Sequence, residues 1–218
     1  MPFSAPRSFF ASLLALLLAV ACSEPAEPTI SLYRAVHEGD LDQVKRNLYW
    51  GADVDQPGPE GERPLHVAAA PGRYILVKLL LEEGADVDAT NRDGHSPLYV
   101  ALMARNTRVA QELVAAGAQF DPSALLRELA LNDVGDRDAI GFLLAHGADI
   151  NQTDANGDSA LHLAVSRGYR VVVKYLIKGG ADVNAVNGAG ATPLAIALKG
   201  GSPEIVDMLR RNGAVEAP

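Results

Sequence analysis

The side chains best suited to bind a metal or move a proton near neutral pH are five histidines, His37, His66, His95, His146 and His162. None stands at a metal-ligand spacing from another histidine, a cysteine or a carboxylate. Asp53, Asp86, Asp149 and Asp182 have the chemistry of paired acids, but each closes the same short word, Gly-Ala-Asp, and is copied with it. Short polar side chains at such places bond to backbone groups of their own loop. No Gly-x-Ser-x-Gly, phosphate-cradling glycine loop or cysteine and histidine pair is present. The expectation is a protein that is not an enzyme and uses no metal or cofactor.

Cys22 is the one cysteine in 218 residues and cannot close a disulfide within the chain. It ends an uncharged stretch, Ser8 to Ala21, that carries Phe9, Phe10, Leu13, Leu14 and Leu16 to Leu18 behind the single charge of Arg7. This layout predicts a signal peptide over residues 1–21, with an apolar core short of the roughly 20 residues a spanning helix needs. Leu18-Ala19-Val20-Ala21-Cys22 resembles a bacterial lipobox, although leucine is commoner where Ala19 stands. The resemblance implies cleavage before Cys22, lipid attachment to it and, with Ser23 next, sorting to the periplasmic face of the outer membrane. Cleavage at the same place without acylation, giving a soluble periplasmic protein, is the alternative. Pro25 and Pro28 make residues 22–29 a short extended tether, so the membrane is reached through lipid alone.

Beyond residue 30 the chain is periodic. Gly-Ala-Asp or a close variant begins at Gly51, Gly84, Gly117, Gly147, Gly180 and Gly213, at intervals of 33, 33, 30, 33 and 33 residues. Such a period means one helix-turn-helix unit copied and stacked. Arg63-Pro64-Leu65-His66, Ser96-Pro97-Leu98-Tyr99, Ser159-Ala160-Leu161-His162 and Thr192-Pro193-Leu194-Ala195 fall in one column, and Ser31-Leu32-Tyr33 joins them. Prolines at the first helical turn and hydroxyls just before it predict helix starts. Glycine at the end of the second helix predicts a left-handed stop. The pattern resembles ankyrin repeats, in which Thr-Pro-Leu-His-x-Ala-Ala, a glycine and Leu-Leu-x-x-Gly-Ala-Asp-Val-Asn follow in order. The resemblance covers residues 30–218 and implies an all-α solenoid of about six repeats with short projecting loops. It also implies that His66 and His162 bond between adjacent repeats.

The end repeats carry polar residues among apolar ones, Asp42, Lys45, Arg46 and Asn47 in the first and Glu204, Asp207, Arg210 and Arg211 in the last, as caps of a stack require. The interval of 30 falls in the fourth repeat. There Asp121-Pro122-Ser123 starts a helix directly, five loop residues are missing, and the turn around Asn132 to Asp136 is two residues longer. Neutral loss in a tolerant loop and a notch that admits part of a partner both fit.

With a net charge of -8 the surface repels nucleic acid, and 48% hydrophobic residues suffice for a core. Ankyrin proteins bind other proteins through loop tips and the exposed face of the first helices. Carried onto this chain, that strip contains Glu60, Glu62, Asp93, His95, Asn156 and Asp158 at the tips, with Met103 and Arg167 on the helices. Trp50, with Tyr49 beside it, is an aromatic anchor for a partner or for the tether. The acidic tips suit a protein partner with a basic surface, bound by a monomer. The expected function is a non-catalytic binding module in the bacterial envelope, such as an immunity protein that inhibits a toxin or secreted enzyme. A scaffold or chaperone of an envelope enzyme, as in peroxide defence, and a linker between outer membrane and cell wall are the alternatives.

Overall fold

The computed structural model describes residues 24–216. The expected signal peptide and the lipid-attachment residue Cys22 lie outside the described residues. Among the described residues, twelve helices follow one another as six pairs. The first helices are α1 (Leu32–Glu38), α3 (Pro64–Ala69), α5 (Pro97–Met103), α7 (Pro122–Leu131), α9 (Ala160–Arg167) and α11 (Pro193–Lys199). The second helices are α2 (Leu41–Tyr49), α4 (Tyr74–Glu82), α6 (Thr107–Ala115), α8 (Arg137–Ala145), α10 (Arg170–Lys178) and α12 (Pro203–Arg211). First helices pack on first helices down the stack, and from α4 onward second helices pack on second helices. The expected all-α solenoid of six repeats is what the chain forms.

Each helix starts and stops for the reasons its sequence supplies. Ser31, Ser96 and Thr192 accept the amide protons of Arg34, Tyr99 and Ala195, and proline opens α3, α5, α7 and α11. The glycines that close the second helices all have positive φ, from +79° at Gly51 to +102° at Gly117. Leu65, Leu98, Leu126, Leu161 and Leu194 of the first helices are fully buried, as are Leu80, Leu113, Leu143, Leu176 and Leu209 of the second. Each such leucine contributes about 1.5–3 kcal/mol by leaving water. Repetition of the period therefore builds one continuous core.

One detail differs from the sequence-based expectation. Asn47 stands in the leucine column of the second helices, 33 residues before Leu80, and it is buried instead of facing outward. Its amide donates to the carbonyls of Ile30 and Gln43, at 2.9 and 2.8 Å, so it clamps the entering chain. With no preceding repeat to pack on, an apolar side chain there would meet the end of the stack. Ile75 is 67% exposed because its column, with Asp42, Arg108, Asp138, Val171 and Glu204, faces outward in every repeat.

The shortened fourth repeat is built as expected. Asp121 caps α7 by accepting the amides of Ser123 and Ala124, and Asp136 caps α8 by accepting that of Ala139. The longer turn between them is bent by Asp133, whose φ is +57°, and its carbonyl accepts Arg105 Nη2 at 2.8 Å.

Candidate functional site

The projecting loops are four short hairpins. In each, the amide of the first residue donates to the carbonyl four residues on, Gly58 to Glu62, Asn91 to His95, Asp154 to Asp158 and Asn187 to Ala191, at 2.8–3.0 Å. In three of them a side-chain oxygen holds the turn, Asn91, Asp154 and Asn187 each accepting the amides two and four residues later. Those amides, Asp158 and Asn156, hold the Asp154 carboxyl below its ordinary value. The first tip has Gly58 at this place, where the Tyr33 ring occupies the space a side chain would take. The fourth repeat has no tip.

Below the tips a ladder ties repeat to repeat. Asp86 donates its amide to Asp55, Gln119 to Asp88, Asp182 to Asn151 and Val215 to Asn184, always across 31 residues. Asp53, Asp86, Asp149 and Asp182 each accept the amide two residues on, which is the loop-bonding role expected of them. Asp121 stands in the acceptor column but caps α7, so Ser123 Oγ takes its place and receives the Asp149 amide at 2.8 Å.

His66 and His162 bond between repeats, through Nε2 to the carbonyls of His95 (2.9 Å) and Ala185 (3.1 Å). In the fifth repeat Ser159 completes the arrangement, its hydroxyl 2.8 Å and its amide 3.2 Å from His162 Nδ1. In the second, Arg63 replaces the hydroxyl residue and the buried His66 Nδ1 has no partner. Burial, the leading cause, lowers the His66 pKa below its ordinary 6.5.

Of the nine proposed partner residues, those at the tips differ in freedom. Glu60 and Asp93 are exposed and Glu62 is half-buried. Asp158 is committed, one oxygen accepting Asn187 Nδ2 at 2.7 Å, and the carbonyl of Asn156 accepts the Gly188 amide. His95 lies flat against Tyr99, ring centres 3.9 Å apart. Met103 is half-buried against the core, while Arg167 is exposed at the end of α9. Trp50 is elsewhere, donating its indole N–H to the Pro25 carbonyl at 3.2 Å.

Two tyrosines that sequence reasoning passed over complete the strip. Tyr33, with His37, Pro57, Pro59, Glu60 and Glu62, lines a groove of about 640 Å³ at its N-terminal end. Burial, then the charges of Glu62 and Glu60, raise the Tyr33 pKa. Burial, then Glu128, raise that of Tyr99. The repeat column of Tyr33, His66, Tyr99 and His162 was the available signal: an aromatic at four of the six first-helix starts. Among the described residues no group of histidine, cysteine, aspartate and glutamate is placed to hold a metal ion, and no helix is long and apolar enough to cross a membrane.

The model of the family "Ankyrin repeats (3 copies)" matches twice, over residues 32–124 and 128–216. Among solved structures, the complex of a predatory endopeptidase from Bdellovibrio bacteriovorus with its immunity protein matches with TM-score 0.68 and 27% identity, over 85% of this chain and 99% of the matched one. The ankyrin repeat domain of Bcl-3 matches with TM-score 0.71 and 27% identity, over 87% and 89% of the two chains. That of human ASB11 gives 0.70 and 26%, over 84% of each. An L-asparaginase of Dirofilaria immitis is 33% identical over 142 residues, 63% of this chain and 24% of its own length, so the chain spans about a quarter of that relative. With both halves matched by the family model and the stack matched by solved ankyrin domains, the chain belongs to the ankyrin repeat family and is built as a protein-interaction module.

Proposed function

We propose that the chain is an immunity or inhibitor protein, which binds a toxin or secreted enzyme through the strip of tips and first helices. The observation that carries this is the likeness to the endopeptidase and immunity protein complex, which takes in 99% of the matched chain. It extends over the whole stack rather than a few repeats. Glu60, Glu62 and Asp93 provide the acidic side of the contact, and a basic partner surface complements them. The lipobox-like sequence at Cys22 supports a place on the periplasmic face of the outer membrane, where an exported enzyme would pass.

The experiment is capture of partners on residues 22–218 from an extract of the producing organism, followed by assay of the captured protein. The expected result is a stoichiometric complex with an enzyme whose activity falls as the chain is added. A captured enzyme left unaffected or activated would reject inhibition and favour the scaffold. Reversal of Glu60, Glu62 and Asp93 to lysine should weaken the complex about tenfold or more, as loss of complementary charge does. Asp158 is left intact because its carboxylate holds the next tip. Mass spectrometry of the mature N-terminus tests the anchor separately: an unacylated Cys22 would reject it.

A further inference from the structure

Trp50 is the single tryptophan of the chain, and it sits apart from the strip. It caps the C-terminal end of α2 and remains 44% exposed, while Tyr49, edge-on to it at 5.9 Å, is 58% exposed. Among the exposed large apolar side chains of the described residues, they are the one pair adjacent in sequence. The tether runs to this pair. Asn47 holds the carbonyl of Ile30, Gln43 Oε1 accepts the amide of Thr29 at 2.9 Å, and Trp50 holds the carbonyl of Pro25. Three bonds from one helix thus fix the approach of the segment and bring Pro25 to the indole.

Cys22 is three residues before Pro25, and three residues of extended chain span at most about 11 Å. An acyl chain on Cys22 is therefore attached within about 11 Å of Pro25, whose carbonyl lies 3.2 Å from the Trp50 indole nitrogen. Aromatic rings with one polar atom favour the boundary between headgroups and acyl chains, where the ring leaves water and the polar atom stays bonded. The indole N–H already has its partner in Pro25. The geometry points to a membrane-contact site in which Tyr49 and Trp50 enter the headgroup region beside the lipid anchor and set the first repeat against the bilayer. Trp50 then belongs to the lipid surface and not to the partner strip. Glu24, Glu27 and Asp53 lie within three residues of Pro25 or Trp50 in sequence, and Lys45 and Arg46 stand one helical turn before Tyr49 and Trp50, so the nearby charges are mixed and the matching surface is zwitterionic.

The inference rests on the lipid-anchor reading, and its test is separable from it. Residues 22–218 carry one thiol, Cys22, to which a maleimide-linked diacyl lipid can be joined whatever the natural modification is. The lipidated protein is reconstituted on zwitterionic phosphatidylcholine vesicles with bromine near the headgroup end of the acyl chains. The expected result is quenching of Trp50 fluorescence by about twofold with a blue shift, since interfacial side chains reach ~5–10 Å below the headgroups. The comparison is Trp50→Phe with Val186→Trp, which moves the fluorophore to an exposed loop position four repeats away. That reporter should remain unquenched. Equal quenching of the two, or none at Trp50, overturns the inference. Indole protection seen only when the captured partner is added also overturns it and returns Trp50 to the protein interface. An unacylated natural Cys22 would reject the anchor while leaving the vesicle result to stand by itself.

Discussion

Replacing Arg63 with serine should make this protein more stable. Arg63 occupies the column that holds Ser96, Ser159 and Thr192 in other repeats, and α3 begins without a side-chain cap. His66 is 1% exposed, and its Nδ1 lies buried without a partner. A serine placed as Ser159 is would cap α3, worth about 1 kcal/mol, and would also donate to Nδ1, relieving an acceptor whose burial costs roughly 1–3 kcal/mol. Against this stands the 3.3 Å bond from Arg63 Nη1 to the Asp55 carbonyl, a long contact worth at most about 0.5 kcal/mol. The net gain is about 1.5–3.5 kcal/mol, or a rise of some 3–14 °C in Tm for a domain of this size. Urea unfolding followed by circular dichroism measures it as a higher midpoint at unchanged slope. Because the cap to the backbone survives without the imidazole, the decisive quantity is the coupling in a cycle with His66→Ala. About 1 kcal/mol is expected there, and a coupling of zero would refute the argument.

Other outcomes follow from the same geometry. Burial holds the His66 pKa below 6.5, so the unfolded chain binds the proton more readily. The stability contributed by neutral His66 is therefore present above pH 6.5 and is lost as pH falls from there through the folded value, and His66→Ala should flatten that part of the unfolding profile. Gly157→Ala should cost clearly more than Gly94→Ala in thermal melts. Both glycines have positive φ, strain worth ~1 kcal/mol, but only at 157 would the new Cβ meet backbone, 2.5 Å from the Gly188 nitrogen. Asn151→Ala removes the acceptor of the Asp182 amide, costing about 0.5–1 kcal/mol and speeding hydrogen exchange at Asp182 more than at Val215. Asp121→Ala should cost about 1 kcal/mol in urea unfolding, as loss of the α7 cap requires.

The repeat grammar was legible because each rule is local. A hydroxyl before proline starts a helix, a glycine ends one, and the 33-residue period states which positions face the core. Even the fourth repeat followed from Asp121-Pro122-Ser123. The exceptions depend on what lies across the stack, which a single repeat does not encode. Asn47 is polar in a leucine column because no repeat precedes it. Asp158 looked like a free acid until the next tip placed Asn187 against it. Trp50 was visible as an aromatic anchor, but only the fold shows that its polar atom is taken by the tether. The Arg63 substitution was in plain sight; its meaning required knowing that His66 is buried.

The fourth repeat also divides the molecule mechanically. Neighbouring tips brace each other on both sides of it, Arg92 reaching the Pro59 carbonyl and Gly188 the Asn156 carbonyl, yet the tipless repeat separates the two pairs. There, too, α5 and α7 are the least closely packed of the successive first helices. In an array held together by nearest-neighbour terms, the thinnest joint sets where cooperativity fails. Drawn out by force or warmed slowly, the protein would part between its third and fourth repeats, into two three-repeat halves that lose structure at different loads.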